Sequence, residues 1–285
     1  MNHLKVVLSG GLWFVGVPIG TARDITLRAL DVLASADVLV AEDTRSLRKL
    51  MDIHGVALNG RRIEALHEHS RDGVVDRLVA RAAAGESVAY ASEAGMPLIA
   101  DPGFELARAA RAAGVPVTCA PGPSAVLTAL VVGGLPTDAF HFAGFLPASR
   151  SARKAALAGL AGVKATLVMY ESPKRLGALL GDAEAVLGAD RPATVCRELT
   201  KKFEETRHGT LSELAGHYAT TSVKGEIVVL IGRGTSVAVN EKDIESALVS
   251  ALRDMSVKDA AAFVAETFDV PRRQVYQQAL ALARD

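Results

Sequence analysis

The sequence predicts an α/β protein with three parts: a parallel-sheet N-terminal domain, a mixed-sheet second domain and a small C-terminal helical unit. Three observations carry this. Short apolar, β-branched runs alternate with amphipathic helical patterns through the first 135 residues, the signature of a parallel sheet with crossover helices. Beyond Gly133-Gly134-Leu135-Pro136 there are fewer helices per strand, which points to a mixed sheet. Beyond Gly232-Arg233-Gly234-Thr235-Ser236, which reads as a flexible linker, only helical periodicity remains. The expected domains are 1–135, 136–235 and 241–285.

Leu12 to Val17 is the expected first strand, ended by Pro18-Ile19-Gly20-Thr21. Asp24 is placed to cap a helix with Ile25, Ala29, Val32, Leu33 and Ala36 on its apolar face. Val38 to Ala41 follows as a strand, then a helix carrying Arg48 and Lys49 and stopping near Gly55, then a strand from Ile63 to Leu66. Val74 to Ala84 is helical. Ser87 to Ala91 is a buried strand, Phe104 to Ala113 a helix closed by Gly114, and Val115 to Cys119 a strand. Ser124 of Pro121-Gly122-Pro123-Ser124 can cap a helix over Ala125 to Val132.

The second part reads as strands at Phe140 to Phe145, Ala165 to Tyr170, Ala193 to Arg197, Phe203 to Arg207 and Glu226 to Ile231. Helices are expected at 151–161 and 174–187, and Thr210-Leu211-Ser212-Glu213 is a capping box opening a short one. The last 45 residues read as helices over Asp243 to Arg253, Val257 to Thr267 and Pro271 to Ala283. The tight Phe268-Asp269-Val270 turn suggests a helix-turn-helix-like unit.

Composition removes several classes. The 285 residues carry 32 basic and 32 acidic side chains, so no global field draws the chain to polyanions, and any such partner must meet a local patch. Cys119 and Cys196 are the only cysteines and lie far apart, which fits a reducing compartment rather than a disulfide scaffold or zinc knuckle. The apolar run Val6 to Val17 imitates a signal peptide, but Gly10, Gly11 and Gly16 interrupt it and it serves well as a strand. No run reaches the length of a membrane span. A cytoplasmic protein without a membrane partner is expected.

The stretch Ser92 to Gly103 stands out. It follows a buried strand, carries Glu93, and has small residues with two prolines that keep it out of helix. Loops at the carboxyl ends of α/β strands are where such folds place ligands. A compact loop rich in backbone donors and acceptors suits a flat, purine-bearing cofactor better than a phosphate. Neither GxGxxG after a strand nor GxxxxGK[ST] is present. His67-Glu68-His69 has no third ligand nearby, so no metal is expected and a hydrogen-bonding or substrate-facing role fits better. Charged groups cluster at further strand ends in Glu42-Asp43-Thr44-Arg45, Arg197-Glu198-Leu199-Thr200-Lys201-Lys202 and Lys224-Gly225-Glu226, and their convergence on one cleft would make a site.

Taken in order, these stretches resemble a known family. Val17-Pro18-Ile19-Gly20, Ala41 to Arg45, His67-Glu68-His69, Ser92 to Gly103, Pro121 to Ala125, Gly134 to Asp138 and Gly144 to Pro147 are followed by Tyr170 to Leu176, Arg197 to Lys201 and Lys224 to Val228. Together they resemble the tetrapyrrole-methylase-like class of S-adenosylmethionine-dependent methyltransferases, and within it the bacterial ribosomal small-subunit RNA methyltransferase I family. The resemblance implies a two-domain tetrapyrrole-methylase-like fold with S-adenosyl-L-methionine in the cleft between the domains, and a homodimer. It also implies methyl transfer to the ribose 2′-oxygen of a cytidine in 16S rRNA near the decoding centre, with 16S rRNA or the small ribosomal subunit as partner. Cofactor contacts are implied for Pro18, Ser92, Glu93, Ala94, Gly95, Leu98, Ser124, Ala125, Tyr170 and Gly225. The chain departs from the family pattern at Glu93 (usually Asp), Met96 (usually Thr), Gly16-Val17 (commonly Ala-Thr) and Ser172-Pro173-Lys174 (commonly Ala-Pro-His).

Attack by a ribose hydroxyl needs positioning, exclusion of water and a proton acceptor. Glu42, Asp43, Glu198 and Glu226 are the candidate acceptors. Arg45, Arg197, Lys201 and Lys202 are candidate phosphate contacts, and Arg61-Arg62, Arg150, Arg153 and Lys154 would widen that basic track. Two alternatives stay open at this stage: a corrinoid or porphyrinoid C-methyltransferase on the same scaffold, and a non-catalytic RNA-binding ribosome assembly factor.

Overall fold

Two five-stranded sheets and a helical end unit make up the computed structural model, which describes residues 3–67, 73–100, 103–234, 241–268 and 270–283. The first sheet contains β1 (Gly11–Val15), β2 (Val38–Ala41), β3 (Ile63–Ala65), β4 (Ser87–Ala91) and β5 (Val117–Ala120), ordered β3-β2-β4-β1-β5 and parallel throughout. Alternation along its strands separates two faces. Val15, Leu39, Ala89 and Ala91 pack against α1 (Leu27–Ser35) and α2 (Thr44–Ile53). Leu12, Phe14, Val40, Val88 and Tyr90 meet α3 (Val74–Ala83) and α4 (Phe104–Ala112) on the other side. The chain leaves β1 toward β2 and leaves β4 toward β5, in opposite directions along the sheet. Their adjacent carboxyl ends are therefore a topological switch point, where a crevice opens.

The second sheet, ordered β6-β7-β10-β8-β9, comprises β6 (Phe140–Phe145), β7 (Thr166–Glu171), β8 (Pro192–Arg197), β9 (Glu205–Thr210) and β10 (Ile227–Ile231). It is mixed, with β6 parallel to β7 and the remaining pairs antiparallel. One face carries α6 (Arg150–Leu160), α7 (Leu176–Leu187) and α8 (Leu211–Thr220). The opposite face packs on the first half: α5 (Ala125–Val132) sends Val126, Ala129 and Leu130, with Ile19, against Val168, Cys196, Val228 and Leu230. Thr194 Oγ1 donates to Gly133 O at 2.8 Å across the same seam. Helices α9 (Glu241–Ala251), α10 (Val257–Phe268) and α11 (Arg272–Leu282) enclose a separate apolar cluster around Leu248, Val264 and Val275. Asp269 of the expected turn lies outside the described residues.

Several details differ from the sequence reading. Asp24 does not cap α1. It sits in a short 3-10 turn, and Thr26 Oγ1 accepts from Ala29 N at 3.1 Å instead. Thr21, just before that turn, donates from its N–H to Thr200 Oγ1 across the seam at 3.2 Å. The strand expected from Val115 starts at Val117, since Pro116 has no N–H for the ladder. The strand expected at Phe203 begins at Glu205, because Glu204 N still donates to Lys201 O in a turn. The capping box forms as expected, with Thr210 and Glu213 each accepting from the other's backbone N–H. Gly232 and Gly234 are not free linker: their N–H groups donate to Pro192 O and Val163 O.

Two arginines expected on a basic track are structural braces. The Arg61 guanidinium donates to Leu33 O, Ala36 O, Ala57 O and Leu58 O, closing the end of α1. Arg153 is buried against Asp182, with Nη2 to Oδ2 at 2.6 Å, and Arg150 and Lys154 stand on the same carboxylate. Arg61 spends four of its five N–H donors this way and the buried Arg153 three, which takes both off the basic track.

Candidate active site

The loops after β1, β4 and β5 meet at the switch point. Val17 and Gly95 exchange backbone hydrogen bonds at 2.9 and 3.1 Å, fastening the loop after β4 to the end of β1. Gly16 must be glycine here. A Cβ would lie 2.7 Å from Gly122 N and 2.8 Å from Met96 Sδ, so two main chains and a thioether share the space of one methyl group. Leu98 and Ala100 hold φ values of 72° and 61°, a left-handed conformation that non-glycine residues rarely adopt. Among the described residues only three other non-glycine positions do so, and two of them, Glu198 and Thr200, flank the same cleft from the second half. Strain of this kind persists only where surrounding contacts over-determine it.

Between these loops and the ends of β7 and β10 lies a cleft of about 430 Å³, within the range of sites for nucleoside-sized ligands. The first half contributes Ile19, Glu93, Ala94, Gly95, Met96, Ile99, Ala100, Ser124 and Ala125. The second contributes Phe145, Tyr170 to Pro173, Leu199 and Gly225 to Val228. Tyr170 packs edge-on against Phe142 and Phe145, at centroid distances of 5.0 and 5.6 Å, which fixes the aromatic wall. The walls are mostly apolar; Glu93 and Glu226 are the acidic side chains open to them, while the Glu171 carboxylate is buried behind its wall.

The cleft brings together Glu93, Ala94, Gly95, Ser124, Ala125, Tyr170, Gly225 and Glu226 from the sequence-predicted residues. Pro18, Ser92 and Leu98 stand behind it. Ser92 is buried, with its hydroxyl on Ala94 O, and Leu98 packs into the core beneath α4. Glu42 supports rather than lines the site, with Oε2 accepting from Glu93 N at 3.2 Å. Asp43 caps α2 by accepting from Arg45 N, and that bond holds its carboxyl below the usual range. Arg197 is engaged with Glu205 and Lys224 O. Glu198 Oε1 accepts from Glu226 N and from Lys201 Nζ, and these bonds, the backbone one foremost, lower its pKa. Lys202 lies over the Phe203 ring.

Sequence reasoning missed Glu171, Ile99, Leu199 and the side chain of Met96 as cleft components. The only signal for Glu171 was its place at a strand end beside Tyr170. No cluster of three metal-ligating side chains occurs among the described residues, and Glu68 and His69 lie outside them.

A parallel sheet with its cleft at the switch point, closed by a mixed sheet, defines the class. Residues 11–215 match the family model described as Tetrapyrrole (Corrin/Porphyrin) Methylases, and residues 238–283 match that of the RsmI C-terminal HTH domain. Among solved structures, uroporphyrin-III-C-methyltransferase from Thermus thermophilus superposes with a TM-score of 0.56 at 24% identity, covering 82% of this chain and 98% of that one. Cobalt precorrin-4 methyltransferase gives 0.58 at 19%, covering 78% and 94%. At those identities the likeness establishes the fold.

Full-length relatives are more specific. The Mesorhizobium japonicum protein named ribosomal RNA small subunit methyltransferase I is 45% identical over 276 residues, 96% of this chain and 93% of the relative. Proteins of the same name from Mycobacterium tuberculosis and Vibrio cholerae are 42% and 40% identical, covering 97% and 98% of each chain respectively. The chain belongs to the ribosomal RNA small subunit methyltransferase I family.

Proposed function

We propose that this protein transfers a methyl group from S-adenosyl-L-methionine to the ribose 2′-oxygen of a cytidine in 16S rRNA, near the decoding centre. The observation that carries the reading is the cleft itself. It lies at the switch point, has nucleoside dimensions, and is walled by strained backbone on one side and by Tyr170 and the 225–228 segment on the other. The lining fits the group: the small-residue loop at 93–95 and Ser124, whose hydroxyl caps no backbone N–H, suit a purine nucleoside, and the Glu93 carboxylate suits ribose hydroxyls and a sulfonium charge. When bound, S-adenosylmethionine supplies an electrophilic methyl group.

What the chain itself does is bind, orient and exclude water. Glu42 holds the Glu93 backbone, Tyr170 and Phe145 give a rigid apolar wall, and the α5 seam fixes the two halves in register. Substrate RNA is read by shape and by exposed nucleotides. The functional units are the N-terminal domain to residue 135, the second domain to 235 and the helical unit from 241. A homodimer in the cytoplasm is the working form. It is supported by the exposed Leu127, Val131 and Val132 on α5 and Phe140 on the edge strand β6, apolar groups that a second copy would cover. No helix among the described residues is long and apolar enough to cross a membrane.

The test offers methyl-tritiated S-adenosylmethionine with undermethylated small subunits, free 16S rRNA and uroporphyrinogen. Label in RNA that survives alkaline hydrolysis as a 2′-O-methylated dinucleotide is expected. Label on the macrocycle alone would overturn the RNA substrate.

A further inference from the structure

Six carboxylates lie in or beside the cleft, and five have other work. Glu42 anchors the Glu93 backbone and Asp43 caps α2. Glu171 has no exposed side-chain surface, its Oε1 accepts from Ser172 N at 2.8 Å, and its Oε2 stands 3.1 Å from Arg175. Glu198 is mostly buried, with Oε1 shared between Glu226 N at 3.0 Å and Lys201 Nζ at 3.1 Å. Glu93 lies on the opposite wall, in the loop assigned to the donor.

Glu226 differs from all of these. Its side chain is 72% exposed, the residue lines the cleft, and Oε2 is 2.9 Å from Lys201 Nζ. Resting on the methyltransferase reading above, we infer that Glu226 is the proton acceptor for the substrate hydroxyl and that Lys201, held by Glu198, is the positioning residue that aims it.

The local backbone is built around this arrangement. A Cβ on Gly225 would lie 2.4 Å from the Glu198 carboxyl carbon, so only glycine lets Glu198 reach Glu226 N. Glu198 itself is held at φ 51° and Thr200 at φ 64°, and Thr200 Oγ1 accepts from Thr21 N of the first half. The strap 198–201 thus ties the carboxylate to the wall that holds the donor. Lys201 is not the base. Burial pulls its ammonium down, but hydrogen bonds to Glu226 and Glu198 outweigh that and keep it charged.

In the step, the hydroxyl oxygen forms its bond to the methyl carbon as the carbon–sulfur bond breaks. The hydroxyl proton passes to a Glu226 oxygen, and the donor leaves as a neutral thioether. Glu226 then returns the proton to water, to which it is open. The charged groups around it are Lys201 and Glu198 on the strap, Lys224 beside it in sequence, Arg197 on Glu205, and Glu93 and Glu171 along the cleft.

The experiment uses the full chain with undermethylated small subunits at saturating S-adenosylmethionine. E226Q should lower the single-turnover rate about 10²- to 10⁴-fold while the donor Kd by calorimetry stays within about twofold, and E226D should recover part of the rate. E93Q should instead weaken donor binding. K201M should lower the rate less than E226Q. K201R, which keeps a cation beside Glu226, should recover part of the rate that K201M loses, whereas K201Q should not. A normal rate in E226Q, or a K201R no faster than K201M, would overturn the assignment. A wild-type chain that labels no RNA would overturn the functional reading and this one together, whereas wild-type labelling with an unimpaired E226Q overturns this one alone.

Discussion

The two sheets keep their charges in different places. Among the described residues, the buried charged side chains are Arg153, Glu171, Asp182 and Arg191, all in the second half, whereas the first half buries only Ser87 and Ser92 as polar groups. The first sheet is covered by helices on both faces and fills both with apolar side chains. The second has its own helices on one face, and its other face takes α5 and Ile19 of the first half at the seam and also holds one wall of the cleft. Ion pairs there fix helices and strands in register where apolar packing alone leaves freedom. The first half positions its part of the cleft with main chain, small residues and a single carboxylate, Glu42. The second does so with charged side chains.

This contrast can be broken most strongly at Arg153. R153A leaves Asp182 buried with only the exposed Arg150 and the more distant Lys154 to face it. A loss of roughly 3 kcal/mol is expected, read from urea denaturation; a loss below about 1 kcal/mol would show that the buried pair is not what holds α6 to α7. The first half should fail by crowding instead. G16A places a Cβ 2.7 Å from Gly122 N, backbone against backbone, at a cost of about 1–3 kcal/mol. Donor affinity should fall with it, because the same contact sets the Met96 loop.

Acid should sharpen the comparison. Burial pushes the Asp182 carboxyl up, but hydrogen bonds from Arg153 and Arg150 outweigh this and hold it below the ordinary carboxylate value. Asp37 is held low chiefly by the Ser87 hydroxyl and backbone N–H. A depressed carboxyl contributes stability that is complete above about pH 5 and is lost as pH falls through the ordinary range toward the folded value. D182N and D37N should each flatten the decline in urea midpoint between about pH 5 and 3; unchanged slopes would remove these carboxylates from the account. The smallest effect is expected at the exposed Arg108–Glu105 pair on α4, where R108A should change stability by a few tenths of a kcal/mol at most.

Much of this was legible in the sequence because local pattern fixes local structure. The run Ser87 to Ala91 with its small-residue loop, the Thr210 capping box and the helix Ala125 to Val132 lie where periodicity puts them. What was not legible is long-range. Glu42 and Glu93 are far apart in sequence, and their bond follows from strand order, not from either motif. Arg61 and Arg153 look like any surface cation until the carbonyls and carboxylate that engage them are brought near. Glu171 carries no periodic signal, since a buried carboxylate at a strand end reads in sequence like a solvated one. In the 198–201 strap, the left-handed backbone at Glu198 and Thr200 defies local preference and goes with two close approaches from distant parts of the chain, Gly225 against the Glu198 carboxyl and Gly20, where a Cβ would lie 2.5 Å from Thr200 Oγ1.

The most direct measurement is calorimetric titration of S-adenosylmethionine into the full chain and into Ala94→Trp, which fills the cleft from its first wall. Saturable one-site binding to the wild-type chain, and its loss in a variant that unfolds at the wild-type urea midpoint, is the expected result. Undiminished binding to the filled cleft would contradict the account.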